Sequence, residues 1–243
     1  RICASSWPDL RPGYSFQAHV RGGTSCLAVS ADGHYLVSGS DTGSIKLWST
    51  QAKGDPVWLV VTGPRVQALR FHPQEGTILA ALADGQLLVL RPDQPVESLA
   101  VASDGLIGLD LDRAGEHLLL GTGGGQIVHW SLAKKRSLVR IQAPEGQLHS
   151  LRFTPDGSGA LTSLGENLVC LWDLLTGQRV RSYFGHRQEV WDAQVSSEPD
   201  VMVTASADHS LYGFRLDTGR MTLVSRVPEG MSGALVLDPR QRL

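Results

Sequence analysis

Four glycines fall within residues 121–125 of the stretch "GTGGGQIVHW". The backbone N–H groups of such a run can cradle a phosphate. The neighbours argue against it. A P-loop places Lys and a hydroxyl residue six and seven positions after its first glycine, so that both reach the phosphates and Mg²⁺; here Ile127 and Val128 stand there. A dinucleotide loop needs G-x-G-x-x-G opening a helix, and Gln126 takes the last glycine position. The run then continues into Ile127-Val128-His129-Trp130, β-branched and aromatic residues that suit a strand. The glycines therefore read as a tight turn between strands.

Two other sets have the residue types of catalysis. His186, Ser206 and Asp208 could compose a nucleophilic Ser/His/Asp group, but a hydrolase also needs an oxyanion site and a substrate cleft, which the sequence does not display. The eight histidines (His19, His34, His72, His117, His129, His149, His186 and His209) include no pair at helical i,i+4 or short metal-ligand spacing, so no metal is expected. The acidic candidates for an enzyme, Asp41, Glu189 and Asp192, do not recur in register.

The 243 residues suffice for one large all-β domain, and a hydrophobic fraction of 42% supports a core. A net charge of −2 gives no general attraction to nucleic acid or anionic membrane. No apolar stretch approaches the ~20 residues of a membrane span. The cluster Lys134, Lys135 and Arg136 reads as a solvated turn. Cys3, Cys26 and Cys170 are odd in number and far apart, which suits a reducing compartment. An intracellular protein, cytoplasmic rather than nuclear, is the expectation. The chain begins at Arg1 and reads as an excerpt of a longer one.

The glycine run has relatives along the chain: "SGSDTGSIKLWST" (38–50), "AALADGQLLVLRP" (80–92), "TSLGENLVCLWDL" (162–174) and "TASADHSLYGFRL" (204–216). The closing aromatic or its substitute is Trp48, Leu90, Trp130, Trp172 and Phe214, at spacings of 42, 40, 42 and 42. Upstream of each lies an apolar segment, a Pro/Asp/Gly turn and a second apolar segment. "FQAH" (16–19) and "FGHRQEVWDA" (184–193) add a Gly/Ala-His pair. A period of 40–45 residues with four short strands is that of a β-propeller blade.

On Gly185-His186, Trp172-Asp173 and the turn residues Asp84 and Asp208, repeated five times, the chain resembles the WD40-repeat family. Trp is replaced in two copies, the turn Asp by Thr42, Gly124 or Glu166 in three, and the Gly-His pair is missing from the second to fourth repeats. The resemblance implies an all-β propeller with about six blades visible, part of a seven-bladed or longer one. It implies a single domain over 1–243, with repeats at about 14–50, 57–92, 96–132, 137–174 and 178–216 and partial blades at 1–13 and 220–243. Trp7 would fill an aromatic slot in the first partial blade. About 23 strands are expected. His19, Trp48, Asp84, Trp130, Trp172, His186, Ser206 and Asp208 take structural roles by the resemblance, with Ser206 a hydrogen-bond relay rather than a nucleophile.

Aligning the inner strands on Val29, Phe71, Leu111, Phe153, Val195 and Leu237 places Ser25, Gln67, Ile107, His149, Trp191 and Gly233 at one position, four residues earlier. Strand side chains alternate with period two, so these share an orientation. In the resembled family that position is the top rim of the central channel, where peptides dock. Arg65, Gln147, Glu189 and Met231 lie two residues further out, and Asp41 and Arg187 face the same side. The expected partner site is therefore Asp41, Arg65, Gln67, Ile107, His149, Arg187, Glu189 and Trp191. Trp191 is either an exposed anchor or core between blades.

The function expected is a non-catalytic protein-protein interaction scaffold within a larger multidomain regulatory or assembly protein. Its partners would be proteins or peptides, with no cofactor, nucleic acid, membrane or small-molecule substrate. The alternatives are a reader of a short modified peptide, such as a histone tail or phosphodegron, and a propeller enzyme. A phosphodegron reader needs several cations on the rim, and the sequence offers mainly Arg65 and Arg187.

Overall fold

The computed structural model describes all residues except 1, 7–10, 17, 20–21, 52–54, 144–146, 166, 197–200 and 227–243. Trp7, Glu166, Met231, Gly233 and Leu237 of the sequence reading lie outside the described residues. The described residues form 22 strands. No helix among them is long and apolar enough to cross a membrane.

Strands β1 (Ile2–Ser6) and β2 (Arg11–Phe16) form an antiparallel pair. The rest form five four-stranded sheets, each an antiparallel meander in chain order. The first holds β3 (Thr24–Val29), β4 (Tyr35–Ser40), β5 (Ser44–Ser49) and β6 (Trp58–Val61); the second β7 (Val66–Phe71), β8 (Ile78–Leu82), β9 (Gln86–Leu90) and β10 (Glu97–Ala100). The third holds β11 (Leu106–Leu111), β12 (His117–Thr122), β13 (Gln126–Ser131) and β14 (Arg136–Gln142). The fourth holds β15 (Leu148–Phe153), β16 (Gly159–Leu164), β17 (Leu168–Asp173) and β18 (Arg179–Tyr183). The fifth holds β19 (Val190–Val195), β20 (Val201–Ser206), β21 (Ser210–Arg215) and β22 (Met221–Arg226). A sequence repeat and a sheet are thus out of step: the strand that opens each repeat is the outer strand of the preceding sheet.

The chain divides into two compact units, Arg1–Leu106 and Ile107–Leu243. In the first, Val37, Ile45 and Leu47 of the first sheet pack against Val66, Leu69, Ile78, Leu82 and Leu90 of the second. In the second, Leu119, Ile127 and Ile141 meet Leu151, Phe153, Leu164 and Trp172, while Leu161, Val169 and Tyr183 meet Val190, Met202 and Phe214. The middle strands are buried on both faces, which is why they read as continuous apolar runs rather than alternating ones.

The glycine run is the turn between β12 and β13. Gly125 donates its N–H to the Thr122 carbonyl at 3.0 Å, and only Gly125 of the run has positive φ, at 77°. The equivalent turn residue has positive φ in each of the other four-stranded sheets: Gly43 at 79°, Gly85 at 89°, Asn167 at 62° and His209 at 61°. That shared left-handed position is what the sequence period marks.

Candidate functional site

The sheet end that carries these turns is built the same way four times. In β3, β7, β15 and β19 the pairing with the next strand shifts between Thr24 and Cys26, Val66 and Ala68, Leu148 and Ser150, and Val190 and Asp192. The extra residues of these bulges are Ser25, Gln67, His149 and Trp191, four of the aligned positions. A bulge re-aims its side chain and breaks alternation. The equivalence of the four residues therefore rests on the bulge, not on period two as the sequence suggested. A second repeated device precedes it. The carbonyls of Gly23, Arg65, Gln147 and Glu189 accept the N–H of Asp41, Ala83, Gly165 and Ala207, at 3.2, 2.9, 2.9 and 2.9 Å. This bond ties the entry of each inner strand to the turn beside it.

In the first unit Arg65 and Asp41 are exposed and Gln67 is half-buried. Ser25 donates its hydroxyl to the Val66 carbonyl at 2.6 Å. The Asp41 carboxylate lies over Gly22, where an added Cβ would fall 2.0 Å from its Oδ1. In the second unit Ile107 and His149 are half-buried and Arg187 and Glu189 exposed. β15 packs beside β19, which places His149 and Trp191 on neighbouring strands at one register position. Nε2 of His149 is buried, with no hydrogen-bond partner among the described residues, and it abuts Gly165. Trp191 is half-buried and stands outside the buried cluster of its own sheet. Asp192, its neighbour, is 4% exposed and accepts from Arg152 Nη2 at 3.2 Å, which makes it a strut between β15 and β19.

Under the rim of the fifth sheet lies a polar network. A carboxylate only accepts, so His186 donates Nδ1–H to Asp208 at 3.2 Å, and Nε2 then accepts from the Thr204 hydroxyl at 2.8 Å. Ser210 Oγ lies 3.1 Å from Nδ1 and donates to Asp208 as well. The Arg187 N–H donates to Asp208 at 2.8 Å. The His186 ring stacks on Tyr212 with centroids 4.2 Å apart. Burial pushes the Asp208 carboxyl up, but Ser210, the Arg187 N–H and His186 outweigh it and bring it down to about 2. Burial holds His186 below the usual imidazole range despite Asp208. The result is a neutral imidazole beside a carboxylate. Ser206 donates to the Gln188 carbonyl at 3.0 Å and accepts the Asp208 N–H at 3.1 Å, without touching the imidazole. The one hydroxyl donating to Nε2, that of Thr204, is fully buried, and the network pins the loop 184–189 to the turn at Asp208.

The first sheet has a shorter version. His19 bonds Ser44 at 2.6 Å and Ser38 at 3.0 Å, and Ser38 accepts the Trp48 indole N–H at 2.9 Å. Asp84 orders its exposed turn through the Gln86 N–H at 3.2 Å. Trp172 donates to Thr162 at 2.8 Å, whereas the buried Trp130 Nε1 has no partner among the described residues. A cleft of about 810 Å³ opens at the other end of the fourth and fifth sheets, lined in part by Asp156, Trp172, Asp173 and Leu216. Asp156 and Asp173 spend oxygens on their own turns.

Sequence reasoning missed Thr204 and Ser210 as the hydroxyls on His186. It also missed Phe184, 71% exposed at the start of the pinned loop. The first could have been found by placing hydroxyls at every second position of β20 and β21. The second had no signal, since an exposed Phe and a core Phe are the same letter.

Residues 10–49 and 177–213 match the family model described as WD domain, G-beta repeat. The chain is 25% identical over 103 residues to eukaryotic translation initiation factor 3 subunit I of Aspergillus niger, covering 42% of this chain and 31% of that protein. It is 23% identical over 190 residues to transcription factor unc-37 of Caenorhabditis elegans, covering 77% and 31%. It is 26% identical over 256 residues to human ribosome biogenesis protein BOP1, covering 86% and 34%. The chain spans about a third of the length of these curated relatives. The β-propeller domain of Cps50 (Swd1) from Myceliophteria thermophila superposes with a TM-score of 0.80 at 17% identity, covering 95% of this chain and 80% of that one. At that identity the likeness shows the fold alone.

Proposed function

Since the chain belongs to the WD40-repeat β-propeller family, we propose that it is a non-catalytic interaction module that binds protein or peptide partners at the sheet ends carrying the bulges. The observation that supports this is the bulge register. It presents a different side chain, Ser25, Gln67, His149 or Trp191, at one structural position in four of the five four-stranded sheets. A repeated backbone with varied side chains is how a rigid scaffold acquires specificity. In the second unit the partner site comprises His149, Arg187, Glu189 and Trp191, with Ile107 at the equivalent strand entry. In the first it comprises Asp41, Arg65 and Gln67. The network on His186 supplies rigidity, so little ordering cost falls on binding. The relatives named as a subunit of an initiation factor, a transcription factor and a ribosome biogenesis protein suggest membership of an intracellular assembly.

The test is Trp191→Ala, read for melting temperature and for partner capture from a cell extract, with Leu175→Ala at the opposite sheet end as the control. Leu175 is 88% exposed. The expected outcome is a fold as stable as the parent and partner binding weakened by ~2 kcal/mol or more, the hot-spot range. A stable Trp191→Ala protein that keeps every partner places the site elsewhere.

A further inference from the structure

The cleft at the other sheet end serves neither the rim nor the tether. It lies wholly in the second unit, has a volume of about 810 Å³ and draws its lining from three sheets. Leu171 and Trp172 at the end of β17, Val180 of β18 and Leu216 after β21 supply its apolar part. Val180 is 58% exposed, so this lining is open to a partner. The fourth and fifth sheets are cross-tied beside it. Arg181 donates to the carbonyls of Thr218 and Asp217 at 3.1 and 3.0 Å, and Tyr183 donates to the Leu216 carbonyl at 2.9 Å. Walls held in this way need little ordering when something binds.

Charge decides what the cleft accepts. Asp156 of the β15–β16 turn and Asp173 at the end of β17 both line it. The Thr154 and Ser158 hydroxyls hold the Asp156 carboxyl below the usual carboxylate range, and the Thr176 N–H does the same for Asp173. Both are ionised at neutral pH. Neither has a cation against it among the described residues. Asp173 spends only Oδ1 on its turn, which leaves Oδ2 open to a donor. Asp217, by contrast, is already held by Arg215 at 3.0 and 3.1 Å. Arg113, from the β11–β12 turn, is the cation that the lining itself contributes. Two carboxylates without a cation, against one guanidinium, give the lining a negative balance.

We propose that this cleft is a second docking site, which takes a protein segment carrying Lys or Arg beside an aliphatic side chain. The cationic heads meet Asp156 and Asp173, while their stems and the aliphatic group cover Leu171, Val180 and Leu216. Arg113 takes a backbone carbonyl of the segment. An acidic segment is turned away by the two carboxylates. The site is separate from the rim at Trp191, so it stands or falls independently of the partner site there.

The experiment records ¹H–¹⁵N spectra of the labelled chain while the peptide acetyl-Gly-Lys-Leu-Lys-Leu-Gly-amide is added at low salt. The amides of Ser158 and Thr176, which donate to the two carboxylates, and the Trp172 indole N–H should shift along one saturable curve. The peptide with both Lys changed to Glu should give no such curve, and the one with both Leu changed to Ser should bind at least about fivefold more weakly. Asp156→Asn combined with Asp173→Asn keeps an oxygen for each turn N–H and should also weaken binding at least about fivefold. Val180→Ser, at an exposed side chain, should weaken it as well and tests the apolar half if the double variant fails to fold. No saturable shift, equal binding of the Glu peptide, undiminished binding by the variants, or shifts confined to the rim around Trp191 overturn the proposal.

Discussion

Trp130 of the third sheet and Phe214 of the fifth occupy one register position, opposite Leu118 and Met202. Two residues along the neighbouring strand the sheets part company. The third has Leu120, fully buried, and the fifth has Thr204, bonded to His186. The same backbone is thus closed once by apolar packing alone and once with a polar tie. The family model matches the two stretches that contain a tied His, residues 10–49 and 177–213, and passes over the sheets between. Burial makes the blade, and the tie fixes the loop 184–189 to the turn at Asp208.

The largest expected effect is His186→Ala. It removes the ring stacked on Tyr212 and takes a donor from Asp208, at a cost of about 2–4 kcal/mol by urea unfolding. A loss under ~0.5 kcal/mol would break the comparison, because the tied sheet would then behave like the untied one. Next comes a pair of conservative changes. Trp172→Phe strands the Thr162 hydroxyl, while Trp130→Phe deletes a donor that has no partner. Trp172→Phe should cost about 1–2 kcal/mol more than Trp130→Phe. Equal costs would mean that the indole hydrogen bond contributes nothing.

The turns give a smaller contrast of opposite sign. At φ of 61° His209 sits where an L side chain is strained, so His209→Gly should stabilise by up to ~1 kcal/mol. Gly125→Ala, at φ of 77°, should destabilise by about the same. Thermal unfolding of the two variants checks the signs. The smallest effect is on pH. His19, His129 and His186 are all held below the ordinary imidazole value of about 6.5, chiefly by burial. A base that resists protonation in the fold but not in the unfolded chain favours unfolding in acid. Stability should be flat above that value, fall as pH drops below it, and level off below the folded pKa values. Melting temperatures at pH 7.5 and 5.5 read this.

The repeat, the strand order and the turn at Gly125 were legible because each leaves a periodic mark: an aromatic, a glycine, an apolar run. The bulges at Ser25, Gln67, His149 and Trp191 were not, since an extra residue in one strand changes pairing without changing residue type. The register argument reached those residues for a different reason, a shared distance from Val29, Phe71, Phe153 and Val195. The network around His186 was half legible. Asp208 follows from the turn, but Thr204 and Ser210 require knowing which hydroxyls share the face of the imidazole.

The stagger between repeat and sheet acts on the chain as it is made. When Trp172 has been synthesised, the fourth sheet still lacks its outer strand, which arrives only with Arg179–Tyr183, the residues that open the next repeat. A growing chain therefore always presents one unfinished sheet with a bare edge, open to pairing with the wrong neighbour. The short links between strands limit the risk, because a hairpin closing over a few residues forms quickly. The order of synthesis and the order of assembly stay one strand apart along the described sheets.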